Sequence, residues 1–135
     1  MDALREKNLD TIRKFLACAG PERKDTRRPL FTADAVKEME LALPTGTVLQ
    51  HDSAFDWLED SSAGCPQWGF YENQIFQTED PNYFLVKSVG RGNQDFEHKG
   101  FWTCYINYYV NEFWMEDGKI KLFRETVNPF ARLHL

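Results

Sequence analysis

The sequence predicts an α+β domain in which helices near the amino terminus pack on a strongly curved antiparallel sheet formed later in the chain. Three observations predict it. Helical spacing of apolar residues is confined to the first half, the stretch from Trp68 to Val127 reads as strands separated by turns, and aromatic residues make up 15% of the chain. A length of 135 residues with 42% hydrophobic content fits one domain over 1–135 with one core.

In the first segment Leu9, Ile12, Leu16 and Ala19 recur at three- and four-residue steps, one face of a helix that Gly20-Pro21 stops. The following GPERKDTRRP segment is polar and charged and reads as a connecting loop, from which a single arginine can still point inward. AVKEMELAL has helical composition, but Met39, Leu41 and Leu43 alternate with Glu38, Glu40 and Ala42, which is the period of a strand. Pro44-Thr45-Gly46 then turns, and Thr47 to Gln50 returns antiparallel. Asp52 or Ser53 caps a second helix containing Phe55, Trp57 and Leu58, which ends by Gly64-Cys65-Pro66. Four strands follow in series: WGFYENQIFQ, YFLVKSVGRG, FWTCYINYYVNEFWM and IKLFRETV. They are joined by the turns EDPN and EDGK and by a loop from Asn93 to Gly100.

Charge and composition exclude several functions. Sixteen basic against 21 acidic residues, with no basic stretch interleaved with aromatics, argue against a nucleic-acid partner. No apolar run is long enough for a membrane span and MDALREKNLD has no signal core, so a soluble cytoplasmic protein is expected. Cys18, Cys65 and Cys104 lack C-x-x-C spacing and His51, His98 and His134 are scattered, which predicts reduced thiols and no metal site. Gly90-Arg91-Gly92 lacks the full phosphate-cradling pattern and reads as a turn or bulge, not a nucleotide site. Neither His51 nor His98 has a Ser or Cys nucleophile in recognisable context.

The aromatic excess fits either the core of a curved sheet or a cavity for a flat organic ligand. Along the third of the four strands Phe101, Thr103, Tyr105, Asn107, Tyr109 and Asn111 share one side. Trp102, Cys104, Ile106, Tyr108, Val110 and Trp114 share the other. The Tyr and Asn side is a wet surface or a polar-lined cavity. The other side is too apolar to leave in water, which predicts a symmetric homodimer through it. On the last strand Lys121, Phe123, Glu125 and Val127 share a face, so the Glu125 carboxylate stands between large apolar neighbours. Desolvation there would raise its pKa and suit it to acid/base work; the alternative is an ion pair with Arg124 or Lys87 at a sheet edge.

The stretch IFQTEDPNYFLVKSVGRG, followed by EDGKIKLFRETVNPF, resembles the phenazine biosynthesis A/B family, whose members carry F-x-T-x-D-P-N and R-E-x-x-N-P segments. With RPLFTADAV and the H-D-S opening of the second helix, the similarity runs from about Arg27 to Pro129. The family lies within the SnoaL-like, or nuclear-transport-factor-2-like, superfamily of cone-shaped α+β folds. The resemblance therefore implies a cofactor-free homodimer with a small-molecule substrate in each cone. The implied reaction is acid/base-assisted condensation of two amino-oxocyclohexene carboxylates through imine formation. The alternatives are isomerisation or cyclisation of another secondary metabolite, or a non-catalytic ligand-binding paralogue.

By the same resemblance Glu125 is the acid/base group, Arg27 receives a substrate carboxylate, Tyr105 is the tyrosine of the long strand, and Ser61 is the helix serine. Trp57 stands where active members keep a histidine, which would reshape that end of the cavity. Geometry adds a condition. A two-residue turn at Asp117-Gly118 pairs Glu116 with Lys119 and sets Glu125 opposite Val110, away from Tyr105. Both then line one cavity only if a longer turn, or a bulge between Tyr105 and Asn111, shifts the register by one. Family members usually continue past the N-P pair, whereas this sequence ends at Leu135, so dimer contacts from such a tail are expected to be missing.

Overall fold

Helix α1 (Ala3–Ala17) starts where the Asp2 carboxylate accepts from the Leu4 amide and buries Leu9, Ile12, Phe15 and Leu16 along one stripe. Ala19 lies beyond its end and is exposed. In the computed structural model, residues 2–42, 48–93 and 105–127 are described. The 44–46 turn, the 94–100 loop, Phe101 to Cys104, His98, His134 and the segment from Asn128 onward lie outside the described residues.

The segment expected as a loop is helical. A short helix α2 (Arg23–Arg27) runs into a 3-10 turn over Arg28–Leu30, with Pro29 inside that turn. Arg23 and Arg27 are four residues apart and share a face, so two arginines turn inward where one was expected. Basic composition suggested solvent, but buried carbonyls await these guanidiniums.

Strand β1 (Phe31–Ala42) pairs antiparallel with β2 (Val48–Ser53), as the alternation predicted. Helix α3 (Ala54–Gly64) follows at once, with Ser53 at its cap position but no side-chain capping bond. The strands β3 (Gln67–Gln77), β4 (Tyr83–Asn93), β5 (Tyr105–Glu116) and β6 (Lys119–Val127) form the predicted meander. A parallel pairing of β1 with β6, which no local pattern announced, joins hairpin and meander into one six-stranded curved sheet ordered β2-β1-β6-β5-β4-β3.

Gly90 and Gly92 do not form a turn or bulge. They sit in regular register in β4 opposite Phe70 and Trp68; the Trp68 indole lies where a Cβ at Gly90 would be, and the Gln67 carbonyl and Cys65 Sγ crowd that place at Gly92. The bulge in this hairpin is in β3 instead, between Tyr71 and Gln74, with Glu72 at a φ of 53°.

The last hairpin decides the site. Its two-residue turn at Asp117-Gly118 holds, and Glu116 pairs with Lys119 as expected. The shift falls just after it: Met115 faces Ile120 but Trp114 faces Leu122, so Lys121 is the extra residue. Lys121 is exposed and does not share the face of Phe123, and Glu125 lies opposite Asn111, not Val110. The register is shifted by one, by a bulge in β6 and not one in β5 between Tyr105 and Asn111, which puts Glu125 on the side of Asn111.

Phe15 is the hub of the core. Its ring lies 5.1 Å from Phe123, 5.4 Å from Phe113, 5.9 Å from Phe31 and 6.5 Å from Trp57, so α1, α3 and the sheet meet at one aromatic cluster. Such pairs contribute about 0.5–1.5 kcal/mol each beyond their burial.

Candidate functional site

Beside this cluster the inner face of the sheet turns polar. Phe113, Phe123 and Lys37 form one row across β5, β6 and β1, and Asn111, Glu125 and Met39 form the next. Paired residues project to the same side of a sheet, so Lys37, Asn111 and Glu125 all point inward. They are buried, at 4%, 0% and 6% exposure.

Lys37 Nζ lies 3.1 Å from Glu125 Oε1. The same ammonium sits 5.5 Å from the centroid of the Trp57 ring, which is 5.2 Å from Phe123. Glu125 therefore does stand among apolar rings, and it has an ion-pair partner that neither sequence alternative named. Arg124 faces the other side of the sheet, 2.8 Å from Glu38, and Lys87 is exposed opposite Val110. Outward positions alternate with inward ones, so the residue next to Glu125 in sequence is the wrong neighbour.

Arg27 enters the core from α2. Its Nε and Nη2 donate to the carbonyls of Phe15 and Cys18, and its guanidinium lies 4.1 Å above the Phe15 ring. Burial, reinforced by the charge of Arg23, pushes its pKa down to about 10, against which the Glu125 charge acts in the opposite direction. Arg27 remains a cation at neutral pH, so two inward cations, Arg27 and Lys37, face the single carboxylate of Glu125. Arg23 has a different task. It donates to the carbonyls of Gly20, Pro66, Ser61 and Cys65, tying the end of α3 to the segment before α2.

Ser61 lies one turn after Trp57 on the same face of α3. Its Oγ is buried with no hydrogen-bond partner, and so is that of Ser62. Asn111 is the extreme case: Oδ1 and Nδ2 are both buried and both unpartnered. Tyr105 opens β5, paired with Gly92, at a position of the same parity as Asn111; its side chain lies outside the described residues. The structure thus brings Glu125 and Trp57 together around Lys37, with Arg27 in electrostatic reach of Glu125.

Sequence reading missed Lys37 and did not single out Asn111. Strand parity could have found Lys37, since it shares the face of Met39, but lysine is ordinarily assigned to solvent. Asn111 was on the side read as polar and no motif marked it.

The family described as Phenazine biosynthesis protein A/B matches the chain over residues 2–135. The chain belongs to that family. It is 34% identical to phenazine biosynthesis protein PhzA1 of Pseudomonas aeruginosa over 140 residues, covering 98% of this chain and 82% of that protein. It is 31% identical to phenazine biosynthesis protein PhzB of Pseudomonas fluorescens over 135 residues, covering 96% and 80%. Among solved structures, the phenazine biosynthesis-related protein PhzB2 of P. aeruginosa superposes with a TM-score of 0.80 at 29% identity, over 99% of this chain and 84% of that one. IdmH of Streptomyces antibioticus, described as a candidate polyketide cyclase, superposes with a TM-score of 0.71 at 18% identity, over 94% and 96%, and shows the fold alone. The fold is thus the SnoaL-like, nuclear-transport-factor-2-like α+β cone.

Within this phenazine biosynthesis A/B chain the two signature segments have different locations. F-x-T-x-D-P-N is the β3–β4 turn and its hydrogen bonds, whereas R-E-x-x-N-P carries Glu125 into the interior.

Proposed function

We propose that the chain acts in phenazine-type biosynthesis as an enzyme for acid/base-assisted condensation of amino-oxocyclohexene carboxylates, with no cofactor. The observation that carries this reading is the buried Lys37–Glu125 pair. A buried ion pair is poor value for stability alone, since well-packed apolar residues serve as well or better, whereas an adjacent acid and base is what imine formation needs. The amine nitrogen of one substrate attacks the ketone carbon of another, giving a carbinolamine. Glu125 accepts a proton from nitrogen, Lys37 delivers one to the departing hydroxyl, and water leaves as the C=N bond forms. Return of the proton from Glu125 to Lys37 over their 3.1 Å contact closes the cycle. Arg27 and Lys37 supply the positive field that a carboxylate-bearing substrate needs, and the unpartnered Ser61 hydroxyl adds a hydrogen-bonding group.

The test is turnover by Glu125→Gln, which preserves shape and removes the titrating group. A loss of about a hundredfold or more supports the role; unaltered turnover refutes it. Trp57 favours a second reading, in which the same cone isomerises or cyclises another metabolite, or only binds one. It places an indole where a proton-handling imidazole is expected, and it packs on Phe15 and Phe123 as a core residue would.

The partner we propose is a second copy of the chain in the cytoplasm. The outward side of β5 supports it, with Ile106, Tyr108 and Val110 exposed at 49%, 75% and 36%. No helix among the described residues is long and apolar enough to cross a membrane.

A further inference from the structure

Asn111 is fully buried, and neither polar atom of its carboxamide has a hydrogen-bond partner. Such groups are rare in native interiors and call for an explanation. Three other side-chain amides each have at least one partnered atom, although Asn8 Oδ1 is also buried without a partner. Asn8 Nδ2 donates to the carbonyl of Pro81, Asn73 Oδ1 accepts from Ser88, and Asn107 Oδ1 accepts from the backbone amide of Tyr108. Around Asn111 the inner face offers little. Its cross-strand neighbours are Val86, which is apolar, and Glu125, whose Oε1 is engaged by Lys37. Tyr109 and Phe113 flank it along the strand, and both present rings to the aromatic cluster. An apolar residue would pack in this row at no polar cost, so the carboxamide is idle in the protein alone.

We propose that Asn111 is a substrate-positioning residue whose carboxamide binds a ligand group presenting a hydrogen-bond donor and acceptor on adjacent carbons. Oδ1 accepts from an amine N–H and Nδ2 donates to the neighbouring ketone oxygen. This inference rests on the reading above and deepens it, because an α-amino ketone has that pair of functions. The cross-strand position of Asn111 opposite Glu125 sets the amine and ketone beside the acid/base pair. The two hydrogen bonds orient the reacting atoms and satisfy both orphan groups at once.

The test uses three stable acids as probes: cyclohexanecarboxylate, 3-oxocyclohexanecarboxylate and 2-aminocyclohexanecarboxylate, whose ketone and amine occupy adjacent ring positions. Their affinities for the wild-type protein, Asn111→Leu and Asn111→Ala are measured by calorimetry. Wild type is expected to bind the oxo and amino acids each about tenfold more tightly than the parent acid. Both variants should bring these ratios to about one and leave the affinity for cyclohexanecarboxylate, which makes neither hydrogen bond, within about twofold. Asn111→Leu should also melt at a higher temperature than wild type, since it removes two unpaired buried groups at similar volume. If that variant does not fold, Asn111→Ala reads the same ratios. Preserved ratios in the variants, or a lower melting temperature of Asn111→Leu with preserved ratios, overturn the proposal and make Asn111 a core amide served by buried water. Loss of turnover in Glu125→Gln alongside preserved ratios overturns this inference alone. Failure of wild type to bind any of the three acids overturns both readings.

Discussion

The turn between β3 and β4 and the inner row at Glu125 are both polar, and they treat their polar atoms in opposite ways. In the turn most polar groups are answered, and the exception is Asn8 Oδ1, which is buried without a partner. Thr78 Oγ1 donates to the carbonyl of Tyr83 and accepts from the Asp80 amide, and Asp80 accepts from the Asn82 amide. The Asn82 carbonyl accepts from Met115, and Asn8 reaches across from α1 to Pro81 and Asn82. On the inner face of the sheet Asn111 has no partner, and Lys37 and Glu125 have each other. The turn is a fastening whose hydrogen bonds are nearly all made within the chain. The row leaves buried polar groups unanswered among the described residues, which fits the site proposed above.

The sharpest way to break this contrast is at Glu125. Glu125→Gln strands a buried ammonium, so alongside the loss of turnover it should cost about 3–5 kcal/mol of stability. The double replacement Lys37→Met with Glu125→Leu should recover most of that stability and none of the turnover. Denaturant unfolding beside an activity assay separates the two effects, and recovered turnover in the double variant would contradict a chemical role for the pair.

Next in size is the turn. Asn8→Ala leaves the Pro81 carbonyl and Asn82 Oδ1 without their donor and should cost about 1–3 kcal/mol, with ligand affinity unchanged. A weakened ligand affinity at full stability would show the turn to be part of the site. A smaller change is expected at Trp57. Trp57→His should raise condensation activity by restoring an imidazole beside Lys37, while losing ring contacts with Phe15 and Phe123. No gain in turnover would leave Trp57 as core and favour the binding reading. Least perturbing to the interior is Val110→Lys on the outer side of β5. It should shift the proposed dimer toward monomer in sedimentation while leaving the fold intact, and a wild type that sediments as a monomer at micromolar concentration would refute the dimer.

The two signature segments were equally legible as sequence, but only their placement distinguishes a fastening from a site. A motif reports that residues occur together, and the hydrogen bonds that explain them are made with distant partners: Asn8 for the turn, Lys37 for Glu125. Glu125 itself was found by its apolar neighbours and by resemblance together. Lys37 was hidden by its residue type and by the strand order that brings β1 beside β6.

What this sequence determined by itself was local: the helical stripe through Leu9, Ile12 and Leu16, the period-two strands, the turns at EDPN and EDGK, and the shared side of Asn107, Tyr109 and Asn111. These follow from spacing along the chain, because backbone geometry converts spacing directly into a face. The tertiary structure alone decided the parallel β1–β6 pairing, the Lys121 bulge that turns Glu125 toward Asn111, and the inward path of Arg23 and Arg27. Each depends on which strands and carbonyls meet across the fold, and one residue of register is enough to send a carboxylate to the opposite face of a sheet.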